Sequence, residues 1–153
     1  MRKYLILALL ISIAIIFNTG AQAAVYEFKE FASHGFSLDV PDGWFVTEDK
    51  FSNKFDFDSP DGAIIIGRIG GTELITFLYA SQEASHGQTF AKEVAQGIEG
   101  SHPVENGNGD FVFTYNENGV ETNVRTRSIG QLGIVMESQD GFDDILNMLE
   151  TLL

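Results

Sequence analysis

The hydrophobic pattern in the first half of the chain is that of β-strands. Apolar and polar residues alternate over residues 36–40, with the two-residue period of a strand that is buried on one face. The turn signal Pro41-Asp42-Gly43 follows, because proline presets the first turn φ angle and glycine accepts a positive one. We therefore predict a β-hairpin over residues 35–48, in which Pro41 and Gly43 form the turn and Trp44 is an aromatic plug beside it.

Three further extended segments are predicted after this hairpin. Residues 55–58 alternate in the same way and lead into a second turn, Pro60-Asp61-Gly62. Residues 63–66 are apolar on both faces and rich in isoleucine, which favours a central strand. Residues 72–80 resume the extended pattern, with a helix as the weaker alternative.

The period changes to that of a helix over residues 85–100. Phe90, Val94 and Ile98 are spaced by four, so they form one apolar stripe. Ser85 and Gln88 have the spacing of a capping box, and we expect the helix to stop at Gly100.

The second half of the chain predicts a three-stranded meander and a terminal helix. A polar loop over residues 102–109 comes first. Strands then follow over residues 111–115, 120–127 and 132–137, and Asn118-Gly119 is a strong hairpin turn signal. Helical spacing returns over residues 142–152. Because hairpins outnumber crossovers, we predict an α+β fold: a mainly antiparallel sheet with two packed helices.

Composition and charge narrow the class of function. The chain has 153 residues, 22 Asp and Glu against 9 Lys and Arg, a net charge of −13, and no cysteine. The absence of cysteine excludes disulfides, thiol catalysis and cysteine-based metal sites. The acidic balance argues against nucleic acid or an anionic membrane surface as a partner.

Residues 1–23 have the layout of a secretory signal peptide. Arg2 and Lys3 precede a 14-residue apolar run, and Ala21-Gln22-Ala23 offers small residues for cleavage. A membrane anchor is the alternative, but a span needs about 20 apolar residues. We therefore expect one mature domain over residues 24–153, with 7 basic and 22 acidic residues (net −15) and no stable membrane anchor. A cysteine-free secreted domain of this kind fits the bacterial periplasm.

Residues 36–44, which read Phe-Ser-Leu-Asp-Val-Pro-Asp-Gly-Trp, resemble the opening hairpin of PsbP-like domains. This group includes a photosystem extrinsic subunit and a Ran-binding nucleotide-release factor, and the likeness extends over residues 33–152. The chain looks closest to small secreted bacterial proteins of the group. The resemblance implies an α/β/α sandwich around an antiparallel sheet and a binding or accessory role, and it supplies no catalytic residue.

Two groups of oxygen-bearing side chains are candidates for a calcium-type cation site, although neither has the spacing of an EF-hand loop. The first group is Asp56, Asp58 and Asp61, and the second is Asn106, Asn108 and Asp110. The alternative for the first group is the solvent face of a strand and a turn. His34, His86 and His102 lie in predicted loops, and we do not expect them to converge on a metal ion.

Arg125 and Arg127 are candidates for binding a partner protein or an anion. They lie two residues apart, on the polar face of one predicted strand, in a chain with few cations. Two guanidinium groups there would suit a carboxylate or a phosphate. The alternative is cross-strand pairing with Glu137 or Glu117, which would be worth little at a surface.

These observations favour a non-enzymatic binding or accessory protein that acts on another envelope protein. A small-ligand or cation-binding protein that uses the acidic loops is the alternative. The common hydrolase, metalloprotease and phosphate-loop motifs are missing from the sequence, and no cofactor is predicted. The sequence does not indicate an oligomeric state. The many phenylalanines are expected to form the core.

Overall fold

The computed structural model describes residues 24–29, 31, 35–49, 55, 59–79 and 86–153. Within these residues nine strands and two helices form, in the order β1 (Ala24–Glu27), β2 (Ser37–Val40), β3 (Trp44–Asp49), β4 (Ala63–Arg68), β5 (Leu74–Tyr79), α1 (Gly87–Gly97), β6 (Val104–Glu105), β7 (Phe111–Glu117), β8 (Val120–Ile129), β9 (Leu132–Ser138) and α2 (Asp143–Leu149). The predicted signal peptide and most of the predicted strand at 55–58 lie outside the described residues.

Seven strands form one sheet, in the order β3-β4-β5-β9-β8-β7-β6, and every neighbouring pair in it is antiparallel. Strands β1 and β2 form a separate antiparallel pair. Together with the two helices, this arrangement confirms the predicted α+β fold. In the described part of the chain, neither helix has the length and apolar character that crossing a membrane would need.

Different elements cover the two faces of the seven-stranded sheet. Helix α1 packs on one face with Phe90, Val94 and Ile98, which confirms the predicted apolar stripe. Helix α2 and the β1–β2 pair pack on the other face. The buried strand residues of the seven-stranded sheet beneath α2 and β1–β2 come from β3, β4, β5 and β9: Trp44, Ile64, Ile66, Ile75, Phe77, Ile134 and Met136.

The phenylalanines serve mainly as core residues, as predicted. Among the described residues, the buried ones are Phe28, Phe31, Phe45, Phe55, Phe77, Phe90 and Phe113. Phe45 and Phe55 belong to the core beneath α1, whereas Phe28 and Phe31 belong to the core beneath α2. Phenylalanine therefore fills both layers of the fold.

The predicted hairpin over residues 35–48 is wrong. Residues 41–43 do turn, with Gly43 at φ +87° and its N–H bonded to Asp42 Oδ1 at 3.0 Å. However, β2 pairs with β1, and β3 pairs with β4 in the main sheet. The second edge of β2 is taken by the backbone of Leu153, which exchanges two 3.0 Å hydrogen bonds with Ser37. With both its edges occupied, β2 cannot also pair with β3.

Trp44 begins β3 directly after this turn and is buried in the core beneath α2. The guanidinium carbon of Arg68 lies 5.6 Å from the centroid of its ring. Arg68 also bonds to Asp144 in the first turn of α2. The predicted aromatic plug is thus also a contact that joins the edge of the main sheet to α2.

The middle of the chain follows the predictions closely. Strand β4 is interior, with β3 and β5 beside it, and only Arg68 at its end is exposed. Residues 74–79 form β5, so the helical alternative for this segment is wrong. The meander β7-β8-β9 is confirmed, and Asn118 and Gly119 both have positive φ angles, as a two-residue hairpin turn requires. Strand β6, only two residues long, lies within the predicted loop.

The ends of α1 differ from the prediction. His86 is the N-cap and makes no side-chain cap hydrogen bond, and Ser85 of the predicted capping box lies outside the described residues. At the other end, Glu99 N–H bonds to Gln96 O and Gly100 N–H bonds to Ala95 O, the pattern of a Schellman motif. Glu99 occupies the left-handed position at φ +54°, where glycine is usual. Gly100 follows it because a Cβ there would lie 2.6 Å from the ring of Phe113.

We predict that Glu99→Gly stabilises the protein by about 0.5–1 kcal/mol in urea unfolding. The left-handed conformation costs a residue with a Cβ roughly 1–2 kcal/mol, which exceeds the extra backbone entropy that glycine loses on folding. Glu99→Ala is the matched control, since it removes the same side chain but keeps the Cβ. Equal stabilisation by both variants would show that backbone strain at residue 99 is not the cause.

Candidate functional site

Arg125 and Arg127 lie on the same face of β8, as residues two apart on a strand do. Their partners in β9 are Met136 and Ile134, both fully buried beneath α2 and β1–β2. The side chains of Arg125 and Arg127 themselves are 13% and 30% exposed. The two arginines therefore lie at the margin of the covered part of this face, where the sheet opens to solvent.

One carboxylate holds both guanidinium groups. Arg125 Nε donates to Asp110 Oδ2 at 2.6 Å. Arg127 donates from Nε to Oδ1 and from Nη2 to Oδ2, both at 2.9 Å, which is a bidentate arrangement. Asp110 is only 2% exposed, so both of its oxygens are committed within the protein. We call these three residues the arginine–aspartate cluster.

The loop between β6 and β7 delivers the carboxylate to this position. Asn106 N–H bonds to Asp110 O at 3.0 Å, and Asn108 N–H bonds to Asn106 Oδ1 at 3.2 Å. These bonds close the loop over its own backbone. Continuing the β7–β8 register by one residue beyond the Phe111–Thr126 pair places Asp110 opposite Arg127.

The two arginines keep the Asp110 carboxyl ionised. Burial alone would raise the pKa of Asp110, but hydrogen bonds from Arg127 and Arg125, together with their charges, lower it below its ordinary value of 3.8. The hydrogen bond to Asp110 also raises the pKa of Arg127. At neutral pH the cluster therefore carries two positive charges and one negative charge, a net of about +1.

The cluster has unused hydrogen-bond donors. A guanidinium group has five N–H donors on three nitrogens. The bonds to Asp110 use Arg125 Nε, Arg127 Nε and Arg127 Nη2. The other nitrogens make no hydrogen bond to the described part of the chain: Arg125 Nη1, Arg125 Nη2 and Arg127 Nη1. Three nitrogens are thus left to meet water or a ligand.

Glu137 and Glu117 are not the acids that pair with the arginines. The strand register places Glu137 opposite Val124, so its side chain lies on the other face of the sheet, where it accepts a 2.8 Å hydrogen bond from Tyr115 Oη. Burial and the charge of Glu137 raise the pKa of Tyr115. Glu117 pairs with Val120 at the far end of the hairpin. Glu137 cannot pair with the arginines because it lies on the other face of the sheet, and Glu117 cannot because it lies too far along the hairpin.

The metal candidates that the structure describes are not grouped to hold an ion. Asp110 is turned toward the arginines, while Asn106 uses its side-chain oxygen within the loop, and Asn108 is exposed. Asp61 lies in the turn that Ser59 and Gly62 close, whereas Asp56 and Asp58 lie outside the described residues. Across the described ranges, no three His, Cys, Asp or Glu residues are grouped to hold a metal ion.

The histidines are also apart where they can be located. His86 precedes α1, and His102 follows it beyond an 11-residue helix. Both are exposed. His34 lies outside the described residues.

We predict that Asp110→Asn lowers the free energy of unfolding at pH 7 by about 2–4 kcal/mol, less than the ~3–5 kcal/mol of a fully buried pair because Arg127 keeps contact with water. In the unfolded chain this carboxyl titrates near 3.8, and in the folded chain it titrates lower. Its stabilisation is therefore complete above pH 3.8 and disappears as the pH falls through the folded-state pKa.

Urea unfolding of wild type and Asp110→Asn between pH 2 and pH 7 measures this difference. Asp140→Asn, which changes an exposed acid outside the cluster, is the control, and we expect a change within about 0.5 kcal/mol. A loss for Asp110→Asn that stays constant down to the lowest pH would contradict the ion-pair explanation.

Comparison with known proteins gives only weak similarity. No family model matches the chain, and no curated protein matches it, so the resemblance to PsbP-like domains stays a prediction. A solved structure from Bacteroides thetaiotaomicron has a TM-score of 0.42 at 16% identity, over 77% of this chain and 44% of that one. LpqN of Mycobacterium tuberculosis, a protein involved in cell envelope biogenesis, has a TM-score of 0.36 at 17% identity, over 87% and 81%. The chain spans less than half of the Bacteroides protein, and at these scores neither structure carries a functional argument.

Proposed function

We propose that the chain is a non-enzymatic binding domain of the cell envelope, which recognises an acidic segment of a partner protein through Arg125 and Arg127. The observation that carries the proposal is the shared carboxylate of Asp110. It fixes both guanidinium groups in place and leaves three of their nitrogens without a partner among the described residues.

The fixed geometry suits recognition of a carboxylate. A free arginine loses roughly 2 kcal/mol of rotamer entropy when it is immobilised. In the arginine–aspartate cluster, Asp110 already holds both side chains, so a ligand would meet a preorganised pair of donors. Planar guanidinium groups match a carboxylate in two parallel hydrogen bonds.

The balance of charge favours an acidic side chain over a polyanion. The cluster has a net charge of about +1, which one carboxylate neutralises. The whole chain has a net charge of −13, which repels nucleic acid and anionic membrane surfaces at longer range. A single acidic side chain carries one negative charge, so the net charge of the chain repels it less than it repels a polyanion.

The envelope location is supported by the signal-like pattern of residues 1–23 and the absence of cysteine. The proposal of a non-enzymatic role rests on the sequence, in which the common hydrolase, metalloprotease and phosphate-loop motifs are missing.

Crosslinking pull-down from the envelope fraction tests the proposal. We expect wild type to capture a defined protein at about 0.1 M salt and less of it at about 0.5 M, because salt screens exposed ion pairs. The variant with Arg125→Lys and Arg127→Lys should lose this protein. It keeps both charges and a donor for Asp110, but lacks the guanidinium forks.

Arg68→Lys is the matched control, because it changes a guanidinium group that lies at the end of β4, away from the cluster. It should capture the same protein as wild type, and thermal melting should verify that all variants fold. Capture that survives in the double lysine variant, or no specific capture by wild type, would contradict the proposed function.

A further inference from the structure

An open groove of about 540 Å³ lies on the same side of the sheet as the arginine–aspartate cluster. It runs between the end of β5, the β8–β9 turn and the chain just before β2. Six apolar or aromatic residues line most of it: Phe36, Tyr79, Ile129, Leu132, Leu152 and Leu153. A volume of this size is in the usual range of small-molecule sites.

Several polar groups along the groove are already bonded within the protein. Tyr79 Oη donates to Gln131 Oε1 at 2.6 Å. The backbone N–H groups of Phe36 and Leu152 bond to Phe28 O and Leu149 O. Strands β5 and β9, which form the floor, are interior strands of the sheet. An extended peptide would thus find few backbone partners in the groove, whereas a hydrocarbon chain needs none.

One end of the groove meets unused positive charge. Ile129 is 49% exposed and lies on the same face of β8 as Arg127, about 7 Å away along the strand. At the opposite end, beyond Phe36, Lys29 is already paired with Glu27 at 2.9 Å. Since that pair is balanced and the arginine–aspartate cluster is not, an anionic group is favoured at the arginine end.

We infer that this groove binds the hydrocarbon chain of a single-chain carboxylate amphiphile, of the fatty-acid type, whose head group bonds to Arg127 and Arg125. The chain buries its apolar surface on Phe36, Ile129 and Leu132, and the carboxylate meets guanidinium nitrogens that Asp110 leaves unused. This ligand goes beyond the proposed protein partner and shares only the two arginines with it.

A ¹H–¹⁵N NMR titration with n-octanoate, below its micelle-forming concentration, tests the inference on protein purified after expression of the full-length sequence. Octanoate should shift the amide signals of Phe36 and Leu132 together with the side-chain Nε signals of Arg125 and Arg127. Acetate, which has the head group alone, should shift only the arginine signals, and 1-octanol should shift only the groove signals. Octanoate shifts scattered outside these residues would overturn the inference.

Two matched variants of β8 identify the groove as the site. Ile129→Asp places a carboxylate at the groove and should weaken octanoate binding at least about tenfold, which corresponds to ~1.4 kcal/mol. Val120→Asp, at a residue that is 47% exposed at the other end of β8, should leave binding unchanged. Equal affinity of both variants for octanoate would contradict the inference.

The same variants separate this inference from the proposed function. We expect Ile129→Asp still to capture the protein partner, because the arginines are intact. If Ile129→Asp lost the captured protein, and octanoate gave no groove shifts in wild type, the groove would be a protein contact and the amphiphile inference would be wrong. Partner capture that is lost in the double lysine variant, but not in Ile129→Asp, would depend on the two arginines and not on the apolar residues of the groove.

Discussion

The buried carboxylate of Asp110 governs how the β6–β8 end of the sheet is built. A carboxylate that is 2% exposed is stable only when its charge is compensated and its oxygens are hydrogen-bonded. Two arginines on one face of β8 supply both requirements, and Asp110 in turn offsets the repulsion between them. Because one carboxylate cannot satisfy two guanidinium groups, the same interaction that fixes the arginines leaves donors for a ligand.

The layering of the fold explains why this face is open. Among the described elements, helix α1 covers one side of the sheet, whereas α2 and β1–β2 cover β3, β4, β5 and β9 on the other side. Strands β7 and β8 continue beyond that cover, and there Thr114 and Asn123 replace the core residues with half-buried polar groups. The arginine–aspartate cluster and the groove lie along the boundary between the covered and uncovered parts. The site is therefore a consequence of two covering layers that differ in extent.

Local sequence patterns are sufficient to predict most of the helices and strands. They also contain enough information to place Asp110 beside the arginines. The Asn118-Gly119 turn fixes the register of β7 against β8, and counting back along that register places Asp110 opposite Arg127. When the residues before β7 are taken as an isolated loop, they instead predict Asp110 as a metal ligand. The register of β9 against β8 places Glu137, the predicted partner of the arginines, on the opposite face of the sheet.

Features that depend on distant parts of the chain could not be predicted from local patterns. The hairpin over residues 35–48 fails because Leu153 pairs with Ser37, a contact between the start and the end of the described chain. The groove depends on Phe36, Leu132 and Leu152, which come from three separate segments. Glycine follows the left-handed Glu99 of α1 because a Cβ at residue 100 would meet the ring of Phe113 in β7. In each case the deciding neighbour is remote in sequence.

The most direct test of the central claim is an NMR titration of the Asp110 carboxyl carbon. If Arg125 and Arg127 share this carboxylate as the geometry shows, its pKa in the folded protein lies below the ordinary value of 3.8, and its signal does not move between pH 7 and pH 5. A folded-state pKa at or above 3.8 would mean that burial outweighs the two arginines. The cluster would then not be a stable, preorganised pair of donors, and the account of the site would be contradicted.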